Sequence, residues 1–312
     1  MQNRGMALVC AAGMAWLAFT VPTSGLAQAP AAQSEEARRV ELNAAWQAGE
    51  TAGTRGPADI ALIEQAVLKL PTDYFFIPKA EGTRIMRALG NTVNERNFTG
   101  LIVGTRRDDR WIVVVQYIKE GYIKDDEAKD WNADELLQSL KDGTEQANRD
   151  RAVRGFPELE ILGWVEKPAY DSATHRLVWS LLSKEKGEPD SAEKGINYNT
   201  YALGRDGYFS LNLLTSASRV GADKSAAREL LAALTYNSGK RYEDFNASTD
   251  HIAEYGITAL VGGVVAKKLG LLALIGAFAL KFAKLIGVAV LALGTGVWNF
   301  FRRKPKSAAP GA

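Results

Sequence analysis

Acidic residues are confined to the middle of this chain. All 36 of them lie between Glu35 and Glu254, whereas the last 58 residues carry eight basic residues and no acidic one. This basic end is apolar from residue 256 to residue 301, and its longest stretch without a charge is 285–301. A transmembrane helix needs about 17–25 predominantly apolar residues. The sequence therefore predicts a C-terminal transmembrane helix at residues 285–301.

The residues that flank this predicted helix indicate its orientation. Arg302, Arg303 and Lys304 follow it at once, and the cytoplasmic flanks of membrane helices are enriched in Lys and Arg. The middle section, in contrast, has 29 basic residues against 36 acidic ones, a net charge of −7. We therefore expect residues 302–312 to form a basic cytoplasmic tail and the acidic section to lie on the outer side.

Residues 1–29 have the pattern of a secretory signal peptide. Arg4 gives a basic start, residues 6–21 are apolar, and small residues then alternate from Gly25 to Ala29. This order suits cleavage by signal peptidase. An uncleaved N-terminal anchor is the alternative, but the apolar run is short for a membrane span.

Residues 251–284 are predicted as a juxtamembrane apolar or amphipathic segment. Four lysines interrupt it, the first pair at Lys267 and Lys268, and a charge at the bilayer centre costs about 2.5–3.5 kcal/mol. The alternative is a helical hairpin with a first span near 257–280. A single span is favoured because the hairpin would leave the basic tail on the outer side. The glycines of this tail leave homo-oligomerisation open.

Alternating apolar residues predict that 57–250 form one exported α+β domain. Residues 30–56 before it are predicted as a partly ordered leader or linker, with a poorly amphipathic helix near 35–47 as the alternative. Strands are expected in a hairpin at 60–70 and at 98–104, 111–117, 159–165, 176–182, 197–203 and 208–214. Helices are expected at 81–89, 132–153 and 223–234, and turns at 106–110, 168–174 and 204–207. Because hairpins outnumber βαβ units, helices should pack on a mostly antiparallel sheet.

The inventory of reactive side chains excludes several classes of site. Cys10 is the only cysteine, and His175 and His251 are the only histidines. A disulfide framework, a cysteine zinc site and a three-histidine metal site are therefore excluded. No Walker loop, dinucleotide fingerprint or Gly-x-Ser-x-Gly elbow occurs. We predict no cofactor and no metal, and the balanced total of 38 basic and 36 acidic residues gives no indication of nucleic-acid binding.

Three polar groups remain as candidates for chemistry or binding. The run 125–127 is the densest acidic cluster, but its spacing matches no calcium loop, so a solvated turn is favoured over a metal site. His175 follows Asp171 across a turn, where structural hydrogen bonding is favoured over acid–base catalysis. Residues 197–201 place alternate polar side chains on one face of a strand. That face could bind a polar ligand, although packing against a helix is favoured.

The order and spacing of several motifs resemble a family of bacterial membrane-anchored proteins that carry the domain of unknown function numbered 2167. The resemblance covers roughly residues 57–301. The residues that carry it are Tyr117, Gly121, Tyr122, Asp125, Asp126, Trp131, Asn148, Arg151, Trp164, Tyr170, Asp171, His175, Trp179, Asn197, Tyr198, Asn199, Gly204, Arg205, Tyr242 and Phe245, with Asp250 after them. It implies a single-pass protein of the bacterial inner (cytoplasmic) membrane with its main domain in the periplasm. The family has no assigned activity, so it implies no catalytic residue.

Two functions of different classes follow from these patterns. The favoured one is a non-enzymatic interaction or assembly module of the cell envelope, anchored in the lipid bilayer and bound to an envelope protein that the sequence does not identify. The alternative is an anchored hydrolase or ligand-binding enzyme that uses Asp125, Asp126, Asp171 and His175. These four residues must converge in one cleft if the enzyme hypothesis is to hold.

Overall fold

Two antiparallel sheets form the framework of the computed structural model, which describes residues 35–153 and 155–262. The strands are β1 (Thr54–Arg55), β2 (Ala58–Leu62), β3 (Ala66–Leu70), β4 (Tyr74–Pro78), β5 (Phe98–Gly104), β6 (Ile112–Ile118), β7 (Leu159–Asp171), β8 (Arg176–Glu185), β9 (Gly195–Leu203), β10 (Tyr208–Ser216) and β11 (Leu234–Tyr236). The main sheet has the order β1-β4-β5-β6-β10-β9-β8-β7, and the small sheet has the order β11-β3-β2. The predicted α+β class with a mostly antiparallel sheet is confirmed.

Within residues 35–153 and 155–262, four complete helices pack on this framework: α1 (Glu35–Ala52), α2 (Lys79–Ala88), α3 (Ala133–Val153) and α4 (Val220–Ala233). The main sheet separates them, because successive residues of a strand point to opposite faces. On one face, Phe209, Leu211 and Leu213 of β10 pack against the small sheet and α4. We call the opposite face, which carries the other three helices, the helix-covered face.

The helix-covered face carries two separate apolar clusters. One lies under α1 and α2 and includes Ile85, Leu101 and Val114. The other joins α3, β8 and the segment that follows β11, and it includes Leu140 and Trp179. Both clusters remove apolar surface from water, which is the main favourable contribution to folding.

The helix ends follow the sequence signals. Asn132 caps α3, because its Oδ1 accepts the backbone N–H of Asp134 at 3.0 Å and its amide donates to Glu135 at 3.1 Å. Gly90 ends α2 with φ +86°, a left-handed conformation that glycine adopts without steric cost. The N–H groups of Gly90 and the following residue bond to carbonyls of the last turn, as in a Schellman cap.

Residues 35–52 form a regular helix, where the sequence favours a partly ordered leader. Its two fully packed residues are small and one turn apart, Ala45 and Gly49, and Leu42 and Trp46 pack beside them. Ala45 is fully buried, and a Cβ on Gly49 would lie 3.1 Å from a side-chain carbon of Ile77. Glu41 pairs with Arg84 of α2 at 2.8 Å. A face of small residues allows close packing but gives a weak hydrophobic pattern, which explains why the sequence signal is poor.

Strand β7 continues to Asp171, where the sequence predicts a turn beginning at Pro168. Proline lacks the N–H needed for a strand ladder, but it is tolerated on an edge strand. β7 is the edge of the main sheet, and its pairing with β8 shifts register between Trp164 and Glu166 and between Glu166 and Ala169. The turn is therefore shorter than predicted and begins only after Asp171.

Several predicted segments lie outside the described residues. They include the signal peptide at 1–29, the transmembrane helix at 285–301 and the basic tail at 302–312. Within residues 35–153 and 155–262, no helix has the length and apolar character needed to cross a membrane. The proposed domain boundaries stay predictions.

Replacement of Ile63 by glycine should stabilise the domain. Ile63 lies in the β2–β3 turn with φ +49° and is 49% exposed, so it keeps a conformation that costs an L-residue about 1–2 kcal/mol without burying much surface. We expect Ile63→Gly to raise the free energy of unfolding in urea by up to about 1 kcal/mol. The matched control, Ala61→Gly in β2, should lower it. A loss of stability in Ile63→Gly would contradict the assignment of strain.

Candidate functional site

Four connecting segments meet at one end of the main sheet. They are the loop after β6 (119–126), the β7–β8 turn (172–175), the β9–β10 turn (204–207) and the segment after β11 (237–256). The antiparallel register brings them together, because Tyr208 pairs with both Ile118 and Leu203. The same register places Arg176, at the start of β8, opposite Ala202.

The β9–β10 turn binds the neighbouring segments on both sides. Tyr117 Oη donates to Asp206 Oδ1 at 2.5 Å, and the Gly121 N–H donates to the Asp206 carbonyl at 3.1 Å. Arg205 donates two hydrogen bonds to Asp250, from Nε to Oδ2 at 2.7 Å and from Nη2 to Oδ1 at 2.8 Å. A bidentate arginine–carboxylate pair fixes geometry as well as adding energy. The turn therefore sets the position of the segments at 121 and 250.

Backbone hydrogen bonds also join the loop after β6 to the segment after β11. The Tyr122 N–H donates to the His251 carbonyl at 2.8 Å, and the Ala253 N–H donates to the Tyr122 carbonyl at 3.0 Å. Gly121 permits the approach, because it has φ +96° and a Cβ there would lie 2.6 Å from the His251 oxygen. Gly121 is thus required by backbone geometry.

A row of four aromatic rings lies where these two segments meet the β7–β8 turn. The ring centroids are 3.9 Å apart for Phe245 and Tyr122, 4.4 Å for Tyr122 and Tyr242, and 4.0 Å for Tyr242 and His175. Tyr242 is buried, and its hydroxyl donates to the Ile123 carbonyl at 2.8 Å. The other three rings are partly exposed. Stacked rings of this kind add energy beyond the area that they bury, so the row is a rigid surface.

His175 also joins a polar group with Tyr170 and Asp125. Tyr170 Oη donates to Asp125 Oδ2 at 2.7 Å and lies 3.1 Å from His175 Nδ1. Since the phenol has one proton, His175 Nδ1–H is the donor in the second bond. Burial, and then the bond to Asp125, raise the pKa of Tyr170 well above its usual value. The phenol therefore stays protonated and holds the two other groups in place.

We call the six residues Tyr122, Asp125, Tyr170, His175, Tyr242 and Phe245 the sheet-end cluster. His175 has φ +52°, a conformation that is uncommon outside glycine and often marks a functional or tightly constrained position. Its carbonyl accepts the Leu203 N–H at 2.9 Å. The β9 strand therefore keeps His175 in this conformation.

Asp126 and Asp171 do not join Asp125 and His175. Asp171 accepts the Ala173 N–H at 2.9 Å and the Thr174 hydroxyl at 2.7 Å, and the Thr174 hydroxyl is the main reason that the pKa of Asp171 lies below its usual value. Asp126 is exposed at the start of a single 3₁₀ turn, Asp126–Lys129. The structure thus brings together two of the four groups on which the enzyme hypothesis depends.

The family-motif residues of α3 and β7 join these two elements. Asn148 is 2% exposed, its amide donates to the Leu159 carbonyl at 2.8 Å and its Oδ1 accepts the Leu159 N–H at 2.8 Å. Arg151 Nε donates to the Pro157 carbonyl at 2.7 Å. Trp164 Nε1 donates to the backbone of α3 at 3.0 Å, and Trp164, Trp131 and Trp179 pack in one apolar cluster. These residues explain the motif structurally.

The motif around Asn197 divides between the two sheet faces. Tyr198 points to the face of the small sheet, where its hydroxyl donates to Glu166 at 3.1 Å and accepts Arg228 Nε at 2.9 Å. Asn197 and Asn199 point to the helix-covered face. Gly204, in the next turn, lies against the Tyr236 ring, which a Cβ would approach to 2.6 Å.

Sequence reasoning missed Ile252, which extends the site. Ile252 forms a parallel bridge with Tyr122 and is 38% exposed. It therefore adds an apolar side chain beside the aromatic row. Nothing in the local sequence distinguishes this single isoleucine from the apolar residues that follow it.

Within the part of the chain that the structure describes, no three His, Cys, Asp or Glu side chains lie close enough together to hold a metal ion. Asp125 and His175 are 3.7 Å apart at their nearest atoms, but Tyr170 bonds to both of them. The prediction that the protein has no metal or cofactor stays a prediction.

Asp250 should contribute stability that depends on pH. Its bonds from Arg205, and then from the backbone N–H of Asn246, hold its pKa well below the usual 3.8. Because the folded-state pKa is depressed, the stabilisation is fully present above the unfolded-state pKa and is lost as pH falls through the folded-state pKa. We expect Asp250→Asn to lower the unfolding free energy at pH 7, with a deficit that shrinks below about pH 4.

Urea denaturation between pH 2 and pH 7 measures this deficit. The control Asp108→Asn removes an exposed carboxylate at the other end of the sheet and should change little. A deficit of Asp250→Asn that is constant over the whole range would contradict the role of the ionised pair.

Comparison with known proteins assigns the chain to a family. The model of the family described as "Protein of unknown function (DUF2167)" matches residues 54–294. No curated protein matches the chain. A solution structure of cyanobacterial PsbP (CyanoP) from Synechocystis sp. PCC 6803 is similar at 11% identity and TM-score 0.34, over 59% of this chain and 98% of that one. The Ran-binding protein Mog1p of Saccharomyces cerevisiae follows at 13% identity and TM-score 0.30, over 58% and 96%. Scores this low carry no functional argument, but the family match spans most of the sequence. The chain belongs to the DUF2167 family.

Proposed function

We propose that this chain is a membrane-anchored envelope protein whose DUF2167 domain is a non-enzymatic binding module. Its binding surface is the exposed side of the sheet-end cluster together with Ile252. One observation carries the proposal: Phe245, Tyr122 and His175 are partly exposed in a row of rings stacked around the buried Tyr242. Tyr170 holds His175 in this row, since it accepts from His175 and donates to Asp125 at 2.7 Å.

The surface has the composition of a protein-binding site. Aromatic side chains provide large contact areas at low entropic cost, and they are enriched where binding energy is concentrated. Phe245 and Tyr122 are stacked at 3.9 Å, and Ile252 lies beside Tyr122. Because the rings are fixed before binding, little conformational entropy remains to be lost on association.

The charge pattern supports the anchored location. The segment that carries Tyr242, Phe245 and Ile252 leads directly into the apolar, acid-free end of the chain. A domain held by that end would present the cluster near the membrane surface. The partner is therefore proposed to be another envelope protein in or at the same membrane.

One observation favours the enzyme hypothesis as a second candidate. Asp125 Oδ2 and His175 Nδ1 are 3.7 Å apart and both are partly exposed. In a hydrolase, His175 would be the acid–base group and Asp125 would orient it. This role requires His175 to exchange its proton with a substrate, so His175→Asn should abolish turnover. A binding surface requires only a ring-sized group, so His175→Phe should retain binding.

Site-directed photocrosslinking of the full-length protein in cells tests the proposal. A photoreactive phenylalanine replaces Asn246, which is exposed beside Phe245. The matched control replaces Glu188, which is exposed in the β8–β9 loop at the opposite end of the sheet. We expect a discrete crosslinked protein from position 246 that is absent from position 188.

A second variant tests whether the crosslink depends on the aromatic row. Phe245→Ser in the position-246 background should reduce the crosslink at least about tenfold, as expected when an aromatic hot spot worth more than about 1.4 kcal/mol is removed. Crosslinks of equal strength from positions 246 and 188, or a crosslink that Phe245→Ser leaves unchanged, would overturn the proposed surface.

Single-cysteine labelling tests the proposed topology separately. In a Cys10→Ser background, Glu188→Cys should react with a membrane-impermeant maleimide in intact spheroplasts, because the domain is outside. Ser307→Cys in the basic tail should react only after the membrane is opened. Labelling of Ser307→Cys in intact spheroplasts would instead support the two-span arrangement.

A further inference from the structure

The centre of the helix-covered face carries polar side chains where an apolar core is expected. Gln116, Asn197, Asn199, Ser210 and Asn212 lie there, and we call them the buried polar stripe. Gln116 pairs with Ser210 across β6 and β10, and Asn212 pairs with Asn199 across β10 and β9. The stripe separates the apolar cluster under α1 and α2 from the apolar cluster under α3.

Four of these side chains are removed from solvent, and Asn197 is partly buried. Gln116 and Asn212 are 6% exposed, and Asn199 and Ser210 are 5% exposed. The side-chain oxygens of Asn212 and Asn197 are buried without a hydrogen-bond partner among the described residues. A buried acceptor with no partner costs about 1–3 kcal/mol.

Asn148 shows how this fold treats a buried amide that serves structure. Its oxygen and its nitrogen both bond to the backbone of Leu159 at 2.8 Å. The two oxygens of the stripe have no such bond. Two neighbours of Asn212 on this face, Val114 and Leu214, are apolar, whereas its partner on β9, Asn199, is polar.

An aromatic wall lies beside the amides. In the register of the sheet, Val114, Asn212, Asn199 and Trp179 form one continuous row across β6, β10, β9 and β8. The Trp179 ring stacks on Tyr201 with a centroid distance of 6.3 Å. Amide and hydroxyl groups next to an aromatic face suit a molecule with many hydroxyls and an apolar C–H surface, because each amide accepts and donates hydrogen bonds.

We propose that the buried polar stripe is a binding site for a small neutral polyol or monosaccharide. The Asn212 and Asn197 oxygens accept its hydroxyl protons, and Trp179 packs beside it. A charged ligand does not fit, since none of the five stripe residues carries a charge and an unpaired ion in such a place is costly. This site is separate from the sheet-end cluster, so it does not depend on the function proposed for that surface.

The test compares two buried asparagines in the full-length purified protein. Leucine has the same number of side-chain heavy atoms as asparagine and the same branching at Cγ. Asn212→Leu loses no protein partner and places an apolar side chain beside Val114 and Leu214, so its thermal midpoint should equal or exceed that of the wild type. Asn148→Leu leaves the Leu159 N–H and carbonyl unpaired, so its midpoint should fall by several degrees.

Ligand binding is tested by measuring the thermal unfolding midpoint in the presence of D-glucose, D-galactose or myo-inositol. Millimolar concentrations are used because polyols stabilise every protein by exclusion only at much higher concentrations. At least one probe should raise the midpoint of the wild type. The shift should be lost in Asn212→Leu and in the milder Asn212→Ala, and should persist in Asn148→Leu.

Three results would overturn the proposal. The first is a fall in the midpoint of Asn212→Leu as large as that of Asn148→Leu, which would show that the Asn212 oxygen is satisfied within the protein. The second is no shift with any of the three probes. The third is an equal shift in the wild type and Asn212→Leu, which would show binding elsewhere or general stabilisation.

Discussion

The paired bonds between Arg205 and Asp250 hold together the end of the main sheet that carries the sheet-end cluster. Arg205 sits in a four-residue turn whose next residue, Asp206, accepts the Tyr117 hydroxyl and, through its carbonyl, the Gly121 N–H. One turn thereby fixes the loop that carries Tyr122 and the segment that carries Tyr242 and Phe245. The aromatic row, the bridge between Tyr122 and Ile252 and the contact of His175 with Tyr242 all require that these two segments stay together. The surface that we propose for binding is therefore a consequence of the β9–β10 turn.

Much of the fold could be predicted from local patterns, because most strands lie in antiparallel hairpins. Alternating apolar residues located β2, β3, β5, β6, β8, β9 and β10, and capping signals located α2 and α3. Strand β4 was missed, since Tyr74–Pro78 is apolar throughout, shows no alternation and ends in proline, and its pairing with β5 depends on residues far along the chain. Helix α1 has a weak sequence signal because Ala45 and Gly49, the two buried residues of its contact face, are small. Pro168 wrongly predicted the start of a turn, because only the sheet order reveals that β7 is an edge strand, where proline is tolerated.

The candidate site was less predictable than the fold. The motif residues were identified, but their roles depend on contacts between distant segments. Asp171 and His175 are close in sequence, yet Asp171 stabilises its own turn while His175 turns toward Tyr170 and Asp125. The pairing of Arg205 with Asp250 and the exposure of Ile252 have no local signature. The alternation predicted for Asn197 and Asn199 is correct. No local pattern indicates that the side-chain oxygens of Asn197 and Asn212 lack partners, since that follows from what packs on the sheet.

Amide hydrogen exchange in wild type and Arg205→Lys shows whether the β9–β10 turn holds the segments at 121 and 250 together. Lysine keeps the charge of Arg205 but cannot form the two parallel bonds to Asp250. In Arg205→Lys we expect the N–H groups of Tyr122 and Ala253 to exchange together, faster than in the wild type by about tenfold or more, while the Leu211 N–H in the centre of the sheet is unaffected. Unchanged protection at Tyr122 and Ala253 would contradict the claim that the β9–β10 turn holds the site together.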